Sequence, residues 1–180
     1  MYLNDFDQNG AIEHIFTRQE GTVHIPYTLK HELERQIPSI KKKYIRYSNY
    51  NNQTLEDIFP GDIIAKSIIQ EVNQFQSGVL LNEGNGKFEW KPLPIMAQKS
   101  WIFAIQILDL NGDGIQDLIL GGNLAQSKPE TGKYDASFGE IMLGKGDGTF
   151  TFWPNAQHGL RLEGDIRAFS KLGENKILVV

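Results

Sequence analysis

Apolar positions in this chain follow two periods. Outside the stretch between Pro26 and Gly78 they fall in short runs such as Ile102-Phe103-Ala104-Ile105-Gln106-Ile107-Leu108 and Ile115–Leu120. Runs this short, rich in β-branched and aromatic residues, predict strands. Between Pro26 and Gly78 the spacing becomes helical. Thr28 is a candidate N-cap for a helix over Leu29–Gln36, with Leu29, Leu33 and Ile37 on one face, and Pro38 ends or kinks it. Ile40, Tyr44, Ile45 and Tyr47 predict a second helix. Thr54 with Asp57 forms a capping arrangement for a short turn ending at Phe59-Pro60-Gly61. Asp62 then caps a helix over Ile63–Val72, whose stripe is Ile64, Ile68 and Val72, with Ile69 beside it.

The strand-like segments repeat. Leu81-Asn82-Glu83-Gly84-Asn85-Gly86-Lys87-Phe88 aligns with Leu143-Gly144-Lys145-Gly146-Asp147-Gly148-Thr149-Phe150, from 81 to 143, an offset of 62 residues. Each copy sets an Asn-Gly or Asp-Gly pair between apolar runs, which is a strong hairpin signal. A further copy is expected in Gly164–Phe169 and Lys176–Val180, joined by the ligand-poor turn Lys171–Asn175. Each unit reads as strand, acidic loop, strand, linker, strand, Gly-rich turn, strand, and four antiparallel strands per repeat make a propeller blade.

The expected fold is therefore mainly β: a partial β-propeller of two to three four-stranded antiparallel blades, an incomplete ring, with a helical insertion. Residues 1–27 start the first blade, 28–78 form the insertion and 79–100 end that blade. Residues 101–163 form the second blade and 164–180 the first strands of a third. A ring needs about four to eight blades, so the sequence reads as part of a longer chain, and its open edges invite self-association.

The chemistry concentrates in two acidic loops. In Asp109-Leu110-Asn111-Gly112-Asp113-Gly114-Ile115-Gln116-Asp117, oxygen-bearing side chains fall at positions one, three, five and nine. A tight loop can point Asp109, Asn111, Asp113 and Asp117 at one centre, with the Ile115 carbonyl supplying position seven. Such a set of hard oxygens suits Ca²⁺. Gly114 occupies position six, where the turn calls for positive φ. Position twelve is Leu120, where an EF-hand needs a bidentate Glu, so the metal would sit in a turn between two strands. The same pattern opens the chain in Asp5, Asp7, Asn9, the Ala11 carbonyl and Glu13, with Gly10 at position six. A solvated turn uses the same residue types.

Composition narrows the function classes. Over 180 residues the net charge is −4, and Lys41-Lys42-Lys43 is the one basic run. Nucleic-acid binding, which needs a clustered basic footprint, finds no support. Cysteine is absent, so disulfides do not stabilise the fold. No stretch approaches a membrane span. The first residues lack the segments of a signal peptide, which suits either a cytosolic protein or a piece of a longer one. His14, His24, His31 and His158 are scattered, without a metal-ligand spacing. Tyr134 and Asp135 beside Ser137 are the nearest approach to an acid/base group, and Asp135 and Ser137 can equally bond local backbone. Tyr44, Tyr47 and Tyr50 are expected to pack on the core.

Taken together, these residues resemble the FG-GAP/VCBS repeats of integrin-type β-propellers. They resemble more closely the C-terminal propeller part of bacterial ASPIC/UnbV (CRTAC-like) proteins. The resemblance rests on Asp5–Glu13, Val79–Phe88 with Pro92-Leu93-Pro94 and Gln98, Asp109–Asn123, Tyr134–Gly139 and Gly164-Asp165-Ile166-Arg167. It implies an exported, cell-envelope or extracellular protein whose propeller binds calcium and presents a surface to a protein or glycan partner. It does not imply an enzyme. The competing expectation is a propeller segment of a calcium-dependent carbohydrate-active lyase or hydrolase.

Overall fold

The computed structural model describes residues 1–173 and 176–180. The chain is mainly β, with short helices and several antiparallel sheets, and divides into two compact units, Met1–Asn73 and Gln74–Val180. Glu174 and Asn175, part of the turn expected at Lys171–Asn175, lie outside the described residues.

In the first unit, β1 (Tyr2–Asn4) pairs with β2 (Glu13–Ile15) in antiparallel register, Asn4 opposite Glu13. A second hairpin joins β3 (Thr17–Glu20) to β4 (Val23–Pro26). Five short helices follow: α1 (Lys30–Gln36), α2 (Ile40–Lys43), α3 (Tyr47–Tyr50), α4 (Leu55–Ile58) and α5 (Gly61–Ala65). Leu33, Ile37, Ile40, Tyr44, Leu55, Ile58 and Phe59 close over Tyr2, Phe6 and Ile15 to form one buried core. Each fully buried aliphatic or Phe side chain contributes roughly 1.5–3 kcal/mol, so this contact holds the helical segment on the β1–β2 hairpin.

The helical expectations hold in part. α1 starts one residue late: Leu29 keeps extended backbone at the N-cap position, and its N–H donates to Glu32 Oε2, while the Thr28 carbonyl accepts the Tyr50 hydroxyl. The second helix breaks at Tyr44 into α2 and α3, leaving Ile45 exposed. Tyr44 is buried and Tyr50 packs on the core, its hydroxyl pushed up to about 12 mainly by burial, but Tyr47 stays exposed. The helix expected over Ile63–Val72 ends at Ala65. Ile68–Ile69 instead form β5 on the free edge of β1, Tyr2 opposite Ile69. A short apolar run fits either period, and an unpaired strand edge nearby decides it.

The Thr54–Asp57 cap is as expected: Asp57 N–H donates to Thr54 Oγ1, and Thr54 N–H donates to Asp57 Oδ2. These bonds, first from the Thr54 backbone and then from its hydroxyl, with Lys43 nearby, hold the Asp57 carboxyl below the usual carboxylate range. The contribution is present above the unfolded-state pKa and is lost as pH falls through the lower folded-state value. An Asp57→Asn variant is expected to show a shallower loss of stability below about pH 4, read by circular dichroism. An unchanged acid limb would remove Asp57 from the account.

The second unit opens with the hairpin β6 (Gly78–Gly84) and β7 (Lys87–Pro92), turned at Asn85-Gly86 with φ of 50° and 74°. A 3₁₀ turn at Ile95–Gln98 leads to β8 (Ile102–Leu108), β9 (Asp117–Gly122), β10 (Glu140–Gly144) and β11 (Phe150–Trp153). These four make one antiparallel sheet in sequence order, matching the repeat unit expected from the strand and turn pattern. Leu118, Leu120 and Met142 face Leu93 and Ala97 on one side of it. On the other, Gly121 lies against Ile166 and Phe169. β9 is therefore buried along its whole length.

The chain ends in the hairpin β12 (Phe169–Lys171) and β13 (Ile177–Val179). The strand expected over Gly164–Phe169 begins only at Phe169. Its first residues are used for sealing: Ile166 N–H donates to the Gly122 carbonyl, and Arg167 donates to the Asn123 carbonyl. Among the described residues, no helix is long and apolar enough to cross a membrane.

Candidate metal centre

Both acidic loops sit in turns between antiparallel strands. Residues 109–116 connect β8 to β9, with Leu108 opposite Asp117, and residues 5–12 connect β1 to β2, with Asn4 opposite Glu13. The registers are equivalent at an offset of 104 residues, from 4 to 108 and from 13 to 117.

The equivalence extends to the hydrogen bonds. At position one, Asp5 accepts from Asn9 N–H at 2.9 Å and Gly10 N–H at 2.8 Å. Asp109 accepts from Asp113 N–H at 3.2 Å and Gly114 N–H at 2.9 Å. At position five, Asn9 accepts from Ala11 N–H and Asp113 from Ile115 N–H, at 2.7 and 2.8 Å. At position nine, Glu13 Oε2 accepts from Phe6 N–H and Asp117 Oδ2 from Leu110 N–H, both at 2.8 Å. The extra methylene of Glu13 thus does not prevent the same bond. Gly10 and Gly114 take φ of +91° and +83°, the region that requires glycine at position six.

The loops diverge at position three. In the first, one carboxylate oxygen from each of Asp5, Asp7 and Glu13 lies within 4.8 Å of the others. Ligand oxygens around a cation at 2.3–2.6 Å have separations of that order. Asp7 is half-buried, and its Oδ1 is shielded from solvent without a hydrogen-bond partner, a position where a positive charge would be favourable. In the second, Asn111 donates through Nδ2 to Asp113 Oδ2 at 2.8 Å and accepts from Asp113 N–H at 3.0 Å. Asp117 is fully buried, and its Oδ1 accepts from Gly144 N–H at the end of β10. Among the described residues, the first loop alone gathers three carboxylates in this way.

Tyr134, Ser137 and His158 have structural partners. The Tyr134 backbone bridges to Leu124, and Asp135 is exposed. Ser137 is buried, donating from Oγ to Glu140 Oε2 at 2.5 Å, while Lys99 Nζ lies 3.1 Å from Glu140 Oε1, an ion pair without hydrogen-bond geometry. His158 Nδ1 accepts from Leu160 N–H, which leaves Nε2 to donate to the Trp153 carbonyl at 3.1 Å. Two structural roles escape sequence reasoning. Gly144 meets Asp117 through its backbone, which no residue type announces. Asn123, at φ +78°, donates to the Ser137 and Gly164 carbonyls and so ties three segments together. An Asn directly after Gly121-Gly122 is the one local sign of it.

Fold and loops define a mainly β protein with internal repeats and two acidic hairpin turns built on one plan. Within it, residues 72–120 match the family model of the FG-GAP-like repeat, which supports the FG-GAP repeat family for that stretch. The matched segment runs from just before β6 through β7, β8 and the second acidic loop into β9. No curated protein and no solved structure matches the chain.

Proposed function

We propose that this chain is a calcium-binding segment of an FG-GAP/VCBS-type β-propeller that serves protein or glycan recognition outside the cytoplasm, in the manner of cell-envelope ASPIC/UnbV-like proteins, rather than catalysis. The observation that carries the calcium reading is the gathering of Asp5, Asp7 and Glu13 around a buried, unpartnered Asp7 oxygen. Asp5, Asp7, Asn9, the Ala11 carbonyl and Glu13 would hold the ion in the first loop; Asp109, Asn111, Asp113, the Ile115 carbonyl and Asp117 are the corresponding set in the second. The ion's part is structural: it neutralises carboxylates that the turn brings together. Recognition is supported by the FG-GAP-like match, since such repeats often mediate protein interactions, and propeller architecture by the four-stranded meander of β8–β11.

Thermal melting with calcium and with chelator tests the reading. A cation bound only by the folded state stabilises it by about 2.7 kcal/mol at a hundredfold excess over Kd. The midpoint is expected to rise by several degrees with calcium, to fall back with EDTA and to respond weakly to Mg²⁺, which demands stricter octahedral geometry. Identical midpoints in calcium and in EDTA would end the calcium reading.

A further inference from the structure

We propose that Asn85 is a site of spontaneous covalent modification, where the following backbone nitrogen attacks the side-chain amide and water converts the residue to aspartate or isoaspartate, while the same dipeptide in each acidic loop is protected by a loop carboxylate.

The chain contains three Asn-Gly dipeptides, Asn9-Gly10, Asn85-Gly86 and Asn111-Gly112, and all of these residues are exposed. Glycine has no Cβ to obstruct the approach to its nitrogen, so by residue type and exposure the three sites are alike. In the reaction the Gly nitrogen gives up its proton to hydroxide and bonds to the Asn Cγ. The Cγ–Nδ2 bond breaks, ammonia leaves and a cyclic imide closes. Water then adds to one of the two imide carbonyls. Opening on one side of the ring nitrogen gives aspartate; opening on the other gives isoaspartate, in which the main chain runs through Cβ and Cγ. One water is taken up and one ammonia released, with no change in oxidation state.

Hydrogen bonds set the three sites apart. Gly10 N–H donates to Asp5 Oδ2 at 2.8 Å, and Gly112 N–H donates to Asp109 Oδ1 at 2.7 Å. A carboxylate so close holds the amide in the turn and opposes loss of its proton, because that loss would set one anion beside another. The Asn side chains are fixed as well: Asn9 Oδ1 accepts from Ala11 N–H, while Asn111 Oδ1 accepts from Asp113 N–H and its Nδ2 donates to Asp113 Oδ2. Ring closure in either loop has to break these bonds. At Asn85 neither obstacle is present: among the described residues, no hydrogen bond engages the Asn85 side chain or the Gly86 N–H. Asn85 and Gly86 form the two-residue tip of the β6–β7 hairpin, with Gly84 opposite Lys87. The tip of a two-stranded hairpin opens locally at little cost, which frees the side chain to reach the next amide.

The product alters the hairpin. Aspartate adds a negative charge at its tip. Isoaspartate adds one atom to the main chain of a turn whose length sets the register of β6 with β7, and register in a hairpin follows loop length. The ladder is expected to fray from Gly84 and Lys87, while Val79, packed on the cluster of Leu118, Leu120 and Met142, holds the other end.

Incubation of the whole chain in mildly alkaline buffer made with heavy-oxygen water, followed by peptide mapping in a mass spectrometer, reads each site separately. EDTA is present throughout, so the outcome is independent of the calcium reading. In the folded chain Asn85 is expected to convert about tenfold or more faster than Asn9 and Asn111, and in urea the three are expected to convert at similar rates. Asp109→Ala is expected to speed conversion at Asn111 and leave Asn9 unchanged; the comparison of folded and urea-unfolded parent needs no variant to fold. Similar rates at all three sites in the folded parent, or faster conversion at Asn9 or Asn111 than at Asn85, would overturn the proposal. An Asp109→Ala chain in which Asn111 converts as slowly as in the parent would overturn protection by the carboxylate.

Discussion

Asp117→Ala is expected to destabilise the second unit by about 3–5 kcal/mol, because two backbone amides lose their acceptor at once. Asp117 is fully buried, and its oxygens receive Leu110 N–H and Gly144 N–H, each at 2.8 Å. A hydrogen bond to a charged group is worth about 1.5–3 kcal/mol, and a donor left unsatisfied in a buried site adds to the loss. The carboxylate clasps the start of the acidic loop to the end of β10, so the turn loosens together with the β9–β10 pairing. Such a cost is a large fraction of the ~5–15 kcal/mol that holds a domain, and the melting point should fall by more than about 10 °C. Asp117→Asn should recover little, since its NH₂ group faces a backbone N–H where an acceptor is required. Both losses should persist in EDTA, because the bonds involved are to backbone. An Asp117→Ala protein that melts with the parent would show that the clasp is dispensable.

Gly122→Ala is expected to be as damaging through backbone crowding alone. A Cβ at Gly122 would lie 1.6 Å from the Trp101 carbonyl oxygen and 2.7 Å from its carbon. That carbonyl accepts Asn123 N–H at 3.0 Å, at the point where β8 shifts register between Ile102 and Ala104. Neither backbone can withdraw without breaking the β8–β9 ladder. Overpacking a core commonly costs about 1–3 kcal/mol, and here it is expected to exceed that range. Gly121→Ala provides the comparison, because its Cβ would meet the Ile166 side chain at 2.6 Å and the Phe169 ring at 2.7 Å. Side chains can turn aside, so Gly121→Ala should fold with a moderate loss, while Gly122→Ala should give little soluble second unit. Equal melting points for the two variants would contradict the assignment of the crowding to backbone.

How far the chain can be read without coordinates depends on the distance over which each feature is decided. Strands β8 and β9, the Asn85-Gly86 turn and the Thr54–Asp57 cap rest on interactions within a few residues. The spacing of the acidic loops also fixes which amides their carboxylates reach, since the Asp5 and Asp109 acceptors lie within five residues of their donors. Ile68 and Ile69 were not legible in this way. Their helical spacing is satisfied equally by a two-residue strand, and the free edge of β1, more than sixty residues earlier, takes them. Gly164–Ala168 likewise reads as strand until Asn123 and Gly122 claim its backbone groups.

The sequence by itself determined the β character of most of the chain, the placement of both acidic loops in strand-to-strand turns and the glycines that let those turns close. Backbone propensity and side-chain spacing are local, so they are written in the order of residues. Only the tertiary structure decided that Asp117 meets Gly144 and that Phe6 anchors the first loop on Phe59. Such contacts are set by which distant segments pack together, and chain spacing carries no record of that choice.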